Sequence, residues 1–169
     1  PGHHLQIAIA QEMPGQPALR QGISFTGYAE GWALYAERLM MELGAYQEDI
    51  PGNLGRLQAE AFRSARLVVD TAIHTGEMNF NQAADYLAEA TGFTLDYTRG
   101  ELTRYSVWPG QATAYYMGFL KILELRQRAM DALGAAFDLK AFHRLVVGNG
   151  AMPLELLEEF VDAYVESLA

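Results

Sequence analysis

The stretch Gly27–Arg38, which reads Gly-Tyr-Ala-Glu-Gly-Trp-Ala-Leu-Tyr-Ala-Glu-Arg, constrains the fold of this chain more than any other. Its residues are apolar or small on nearly every side of a helix, which is typical of a buried helix. Glu30 and Glu37 are about two helical turns apart and therefore lie on one face. Because a buried carboxylate is costly unless it is paired, hydrogen-bonded or bound to a metal, both acids need partners.

Two kinds of partner are open for these glutamates. In the structural interpretation they pair with arginines, for example Arg38, Arg63 or Arg66. In the functional interpretation at least one of them binds a metal ion. The glycines and alanines of the same stretch leave room for a second backbone to approach closely, so this helix suits the centre of a packed protein.

The hydrophobic pattern predicts an all-α fold. Apolar residues recur at three- and four-residue spacing, and no stretch alternates with a period of two. We predict a helical bundle of about seven helices around a buried, glutamate-bearing helix at residues 27–43. Residues 18–26 are predicted to form a loop, and Pro109 suits the first position of a long helix. With 169 residues, half of them hydrophobic, the chain suits one domain, 1–169.

Composition excludes several classes of site and partner. There is no cysteine, so any metal must be held by histidine and carboxylate side chains. The formal net charge of −9 argues against nucleic-acid binding through a basic surface. No apolar run reaches the length of a membrane span, so we expect no transmembrane segment.

A histidine pair near the start is the first half of a metal-ligand pattern. His3 and His4 are adjacent, about 100° apart around a helix, so only one of them points easily at a given site. The alternative is a pair of exposed or capping histidines. A catalytic zinc typically takes three protein ligands and one water, and two histidines with one glutamate are a common set. One histidine of this pair and Glu30 would supply two of the three.

A second group of polar residues follows on the next long helix. Arg66, Asp70 and His74 are four residues apart in turn and form one stripe. Such a stripe is usually a solvated face, but an aspartate one turn before a histidine can also fix its tautomer. Further along, Gln111 and Tyr115 are four apart and would line either a pocket or the core. We interpret His143 as structural or exposed.

Four blocks of this sequence resemble the bacterial DUF885 family, which is similar to gluzincin-type zinc metallopeptidases. That family has a His-Glu-x-x-Pro-Gly-His-His motif followed by a Glu-Gly-Trp-Ala-x-Tyr helix. The blocks occur in the family's order, and the tail from Phe142 to Leu154 also fits. They are Pro1–Gln6, Gly27–Glu37, Arg66–Asp70 with His74, and Pro109–Ala112 with Tyr115.

The resemblance implies a zinc-dependent cleavage of peptide bonds and assigns roles to residues. His3 or His4 would be the second zinc histidine, and Glu30 the glutamate ligand. Glu37 would orient a ligand or pair with an arginine. The candidates to stabilise the oxyanion of a hydrated peptide carbonyl are His74, Tyr105 and Tyr115.

The chain begins immediately after the His-Glu of the motif, so the first zinc ligand and the general base are expected in a missing N-terminal portion. We therefore expect this polypeptide alone to be inactive and to bind zinc weakly. A C-terminal fragment of this kind would expose apolar surface and self-associate, for example as a homodimer. The alternative function is a non-catalytic helical domain that binds a peptide or a partner helix. The sequence leaves the bacterial compartment open between the cytoplasm and a periplasmic or lipoprotein location.

Overall fold

The computed structural model describes residues 2–168 and confirms the all-α class. Within this range there are nine helices, against about seven predicted, and no strand. The helices are α1 (Gly2–Glu12), α2 (Ala18–Gly22), α3 (Thr26–Glu42), α4 (Ile50–Thr75), α5 (Phe80–Thr91), α6 (Leu95–Val107), α7 (Ala114–Leu133), α8 (Leu139–Val147) and α9 (Leu154–Leu168), with a 3₁₀ turn at Gly134–Ala136.

Local chemistry explains most helix ends. Asp49 accepts a hydrogen bond from the Gly52 N–H at the start of α4, and Gly76 ends that helix in the left-handed conformation. Asn79 and Gln82 form a reciprocal capping box on α5, and Thr94 caps α6. Each of these caps depends only on neighbouring residues.

Two sequence predictions about loops are wrong. The segment predicted as a loop at residues 18–26 contains the five-residue helix α2. The long helix predicted to begin at Pro109 begins instead at Ala114. Gly110 adopts a φ of +79° and its N–H donates to the Asp70 carboxylate at 2.8 Å, so residues 108–113 form a turn. Gln111 therefore lies outside the helix that carries Tyr115.

The chain forms two compact units. Unit 1 comprises the residues up to Ala36 and those from Met117 onward, and unit 2 comprises Glu37–Tyr116. Both boundaries fall inside helices, α3 and α7. The prediction of one domain concerns independent folding and stays a prediction.

Unit 1 has its own aromatic core around the first part of α3. Tyr28 is fully buried and its hydroxyl donates to the Val146 carbonyl of α8 at 2.8 Å. The Tyr35 hydroxyl lies 2.7 Å from His143 Nε2, and Trp32 meets the same imidazole edge-on. These contacts support the structural interpretation of His143.

Unit 2 packs α4, α5 and α6 together. Its core is formed by apolar side chains of these three helices, including the fully buried Val69, Leu87 and Leu102. Two charged residues of the predicted stripe, Arg66 and Asp70, are buried with this core rather than solvated. Within residues 2–168, none of the helices combines the length and apolar character needed to cross a bilayer.

Candidate functional site

The helices α1 and α3 are in close contact within unit 1, and they carry the predicted metal ligands His3 and Glu30. A Cβ added to Gly2 would lie only 3.1 Å from the Ala33 Cα and 3.2 Å from the Ala36 Cβ. The Trp32 indole N–H donates to the Gly2 carbonyl at 3.0 Å. The small residues of α3 thus let the backbone of α1 approach closely, as the sequence predicts.

This contact brings His3 and Glu30 together. His3 Nε2 lies 3.2 Å from Glu30 Oε2, and the exposed fractions of the two side chains are 48% and 23%. Glu30 is therefore half-buried rather than enclosed. The helix that carries it buries other residues: Tyr28, Gly31, Trp32, Leu34 and Tyr35.

A buried amide lies behind His3. The Gln6 side chain is 6% exposed, and its Oε1 is 3.4 Å from His3 Nδ1. When Nδ1 carries the proton and faces this oxygen, the Nε2 lone pair is directed toward Glu30. His4 is exposed at the next position, about 100° around α1. The geometry thus favours His3 as the histidine that acts with Glu30.

The pair fits two corners of a zinc site. Two ligands at about 2.1 Å from a tetrahedral zinc are about 3.4 Å apart, near the observed separation of 3.2 Å. Among residues 2–168, no group of three or more His, Cys, Asp or Glu side chains could hold a metal ion. The described part of the chain thus offers two donors of suitable chemistry and not a full ligand set.

Glu37 has the arginine partner that the structural interpretation allows. Arg63 Nη2 donates to Glu37 Oε1 at 2.9 Å, and Arg63 Nη1 lies 3.3 Å from Oε2, both within unit 2. This two-point contact fixes the carboxylate and neutralises its charge.

Asp70 holds the turn at residues 108–113 and faces His74. Its Oδ2 accepts the Gly110 N–H, while its buried Oδ1 has no hydrogen-bond donor in the described part of the chain. His74 Nδ1 is 2.6 Å from the Asp70 carbonyl oxygen and 3.4 Å from Oδ1. Because a carbonyl oxygen can only accept a hydrogen bond, Nδ1 carries a proton. The other nitrogen of this half-exposed imidazole, Nε2, is then the one that can act on a ligand.

Glu101 is the centre of a polar cluster in unit 2. Arg66, Arg104 and the Tyr105 hydroxyl all donate to its Oε2, at 3.1, 2.8 and 2.8 Å. Burial raises the pKa of Glu101, but hydrogen bonds from Arg104 and Tyr105 and the charges of both arginines outweigh it, so the net pKa is lowered. This carboxylate stays ionised at neutral pH.

The two predicted tyrosines differ in accessibility. Tyr105 is fully buried, its hydroxyl accepts from Arg66 Nε at 2.9 Å, and burial is the main cause that raises its pKa. Tyr115 is half-buried, and the Arg66 guanidinium lies 4.8 Å from its ring centroid. Gln111 accepts from Arg104 Nη1 at 2.6 Å. Tyr105 thus acts within the cluster, whereas Tyr115 lies at its edge.

The lowered pKa of Glu101 predicts an acid-dependent loss of stability. Its folded-state pKa lies below the ordinary 4.5, so the stabilisation is present above that value and is lost as pH falls through the folded pKa. At pH 7 we expect Glu101→Gln to lower the free energy of unfolding by about 1 kcal/mol. Urea unfolding of variant and wild type at pH 7 and pH 3 measures the difference. An equal difference at both pH values would contradict the assignment.

The sequence interpretation missed three residues of these clusters. Gln6 follows His3 by three positions, and Arg104 follows Glu101 by three, so the helical spacing was available as a signal. Nothing local indicated that Glu101 would meet Arg66, because that contact joins two helices.

Two solved structures resemble the chain over nearly its whole length. One is the crystal structure described as a "putative lipoprotein" from Colwellia psychrerythraea, with 46% sequence identity and a TM-score of 0.95. The match covers 99% of this chain and 28% of the Colwellia chain. The other, from Shewanella oneidensis and described as a "putative lipoprotein of unknown function", has 26% identity and a TM-score of 0.86 over 94% of this chain and 29% of its own.

The chain thus spans less than a third of the length of these solved relatives. No match was found among curated proteins. The family model described as "Bacterial protein of unknown function (DUF885)" matches residues 1–161. Since this match covers nearly all of the sequence, the chain belongs to the DUF885 family of bacterial proteins.

Proposed function

We propose that this chain contributes two zinc ligands, His3 and Glu30, to a site that hydrolyses peptide bonds. The observation that supports the proposal is the 3.2 Å separation of His3 Nε2 and Glu30 Oε2, contributed by two different helices. Zinc, when bound, supplies a Lewis acid that polarises a carbonyl and lowers the pKa of a water molecule.

The surrounding residues of unit 1 have defined tasks in this proposal. The Gln6 Oε1 can accept a hydrogen bond from His3 Nδ1, which orients the imidazole with Nε2 toward Glu30. The Trp32–Gly2 hydrogen bond holds α1 against α3 and keeps the histidine beside Glu30. Both contacts reduce the reorganisation needed when a metal arrives.

For unit 2, taken by itself, we propose groups that can donate hydrogen bonds to an oxyanion. His74 and Tyr115 are the stronger candidates because both are partly exposed. Tyr105 is the weaker one, since its hydroxyl is already shared between Arg66 and Glu101. Glu37, bound to Arg63, serves as a fixed carboxylate rather than as a ligand.

Two donors are fewer than a catalytic zinc requires, and no general base is assigned among residues 2–168. We propose that the third ligand and the base lie outside this range. The solved relatives are more than three times as long as this chain, which is compatible with such a division.

The zinc content of the full-length protein tests this proposal. We expect about one zinc per chain after dialysis, measured by mass spectrometry, and cleavage of a mixture of unmodified peptides. Glu30→Gln and His3→Gln should each lower zinc occupancy at least tenfold, because each removes a ligand.

Matched variants serve as controls. Glu37→Gln changes a glutamate of the same helix, and His4→Gln changes the adjacent histidine; both should retain zinc. Zinc that persists in Glu30→Gln would refute the ligand assignment. A full-length protein without zinc would refute the proposed hydrolase altogether.

One observation favours a second candidate function. Because the described residues lack a third metal donor, unit 1 could serve as a non-catalytic peptide-binding domain. Peptide binding that is unchanged by removal of zinc, together with an absence of cleavage by the full-length protein, would support this alternative.

A further inference from the structure

Two neighbouring cavities in unit 1 form one groove. The first has a volume of about 230 Å³ and the second about 270 Å³. Both are lined by Arg20, Ile23 and Ala151, so they are continuous at these residues. Each cavity alone is slightly smaller than a typical small-ligand site, which starts at about 300 Å³. Together they offer room for a short extended ligand.

The two halves of this groove differ in chemistry. The first half carries three side-chain amides, those of Gln6, Gln11 and Gln16. The second half is apolar and includes Phe25 and Phe160. Among the residues that the structure describes, no aspartate or glutamate lines either half, although the chain has 21 acidic residues. The groove therefore combines hydrogen-bonding groups, an apolar wall and one positive charge.

Arg20 supplies that positive charge. Its Nη2 donates to the Asn149 carbonyl at 3.1 Å, which positions the guanidinium without neutralising it. Arg20 is exposed and forms no ion pair with any residue in the range 2–168. A guanidinium has five N–H donors in a planar fork that matches a carboxylate, so its natural partner is an anion of that shape.

The groove begins directly behind the His3–Glu30 pair. Gln6, whose Oε1 faces His3 Nδ1, also lines the first cavity. Ala10 lines the same cavity one turn further along α1, about 10 Å from His3 along the helix axis. An extended peptide covers about 3.4 Å per residue, so about three residues span this distance.

We propose that this groove binds the C-terminal end of a peptide, with the α-carboxylate on Arg20 and an apolar terminal side chain against Phe25 and Phe160. The glutamine amides distinguish this occupant from a fatty acid, because they can bond to peptide N–H and C=O groups and an acyl chain offers neither. The choice of a peptide rests on the proposed function. It gives that function a substrate class, namely peptides with a free carboxyl end and an apolar last residue.

Binding of two matched peptides to the chain tests this inference. The probes are N-acetyl-Ala-Leu-Phe with a free carboxylate and the same peptide with a C-terminal amide, titrated by calorimetry or by amide NMR shifts. We expect the carboxylate form to bind about tenfold more tightly, the effect of one charge-assisted contact at a partly exposed site. Arg20→Gln should remove this preference, and Arg20→Lys should retain part of it.

Three controls separate this inference from the proposed function. Arg99→Gln removes an exposed arginine of unit 2 and should leave peptide binding unchanged. Both peptides are titrated without zinc, so that the metal pair does not contribute to the affinity that is measured. Ala151→Phe should weaken binding of both peptides by filling the point where the cavities meet. Circular dichroism verifies that each variant is folded.

Several outcomes would overturn the inference while leaving the zinc proposal intact. One is equal affinity for the acid and amide peptides, and another is an Arg20→Gln variant that keeps the preference. A third is decanoate that binds more tightly than the peptide, which would identify the groove as a lipid site.

Discussion

Gly118→Ala is expected to lower the free energy of unfolding by about 3 kcal/mol or more, enough to prevent folding in a marginally stable protein. Within unit 1, a Cβ at Gly118 would lie 1.8 Å from the Gly27 carbonyl oxygen and 2.9 Å from the Gly31 Cα. All of these atoms belong to backbone, so no side chain can move aside to relieve the clash. Urea unfolding followed by circular dichroism measures the effect.

Gly100→Ala is the matched control for this substitution. Gly100 lies inside α6, and a Cβ there would have no neighbouring atom within 4 Å. Alanine should therefore stabilise the helix by about 0.5–1 kcal/mol. If Gly118→Ala proved as harmless as Gly100→Ala, the close approach of α3 and α7 would be wrong.

Arg66→Met is expected to cost about 3 kcal/mol of stability. Arg66 lies 4.2 Å from the Phe62 ring centroid and donates to both Glu101 and Tyr105, and its side chain is only 9% exposed. Methionine replaces part of the packing but leaves Glu101 half-buried with one cation fewer. Equilibrium unfolding in urea at pH 7 measures the loss.

Arg104→Met is the comparison variant for Arg66→Met. Arg104 donates to the same Glu101 oxygen, but its side chain is 33% exposed. Its loss should cost about 1 kcal/mol, because water can take over part of its role. If both variants lowered the free energy of unfolding equally, burial of Arg66 would not be the reason that it stabilises the cluster.

Much of the fold was accessible from the sequence. The three- and four-residue spacing of apolar residues acts over a few residues, so the all-α class was predicted, as was the helix at residues 27–43, which the structure has at Thr26–Glu42. The turn at residues 108–113 was not predicted. Pro109 is a good helix start locally, but the distant carboxylate of Asp70 binds the Gly110 N–H and holds a turn instead.

The candidate site was predictable in part for the same reason. The glutamates of α3 and the histidine pair of α1 were identified by residue type and spacing, and Arg63 was among the partners considered for Glu37. The groove at Arg20 was beyond the sequence, since α1, α2, the loop between α8 and α9, and the start of α9 must come together to form it.

The sequence by itself determined that this protein is helical, and it identified the glutamates of α3 and the histidine pair of α1 as candidates for a metal site. These properties depend on a 3.6-residue period and on neighbours within one turn. Only the tertiary structure decided that His3 rather than His4 meets Glu30, that Arg66 and Asp70 are buried, and that Arg20 lines an apolar groove. Each of these depends on contacts between helices that are distant in the chain, which no local pattern encodes.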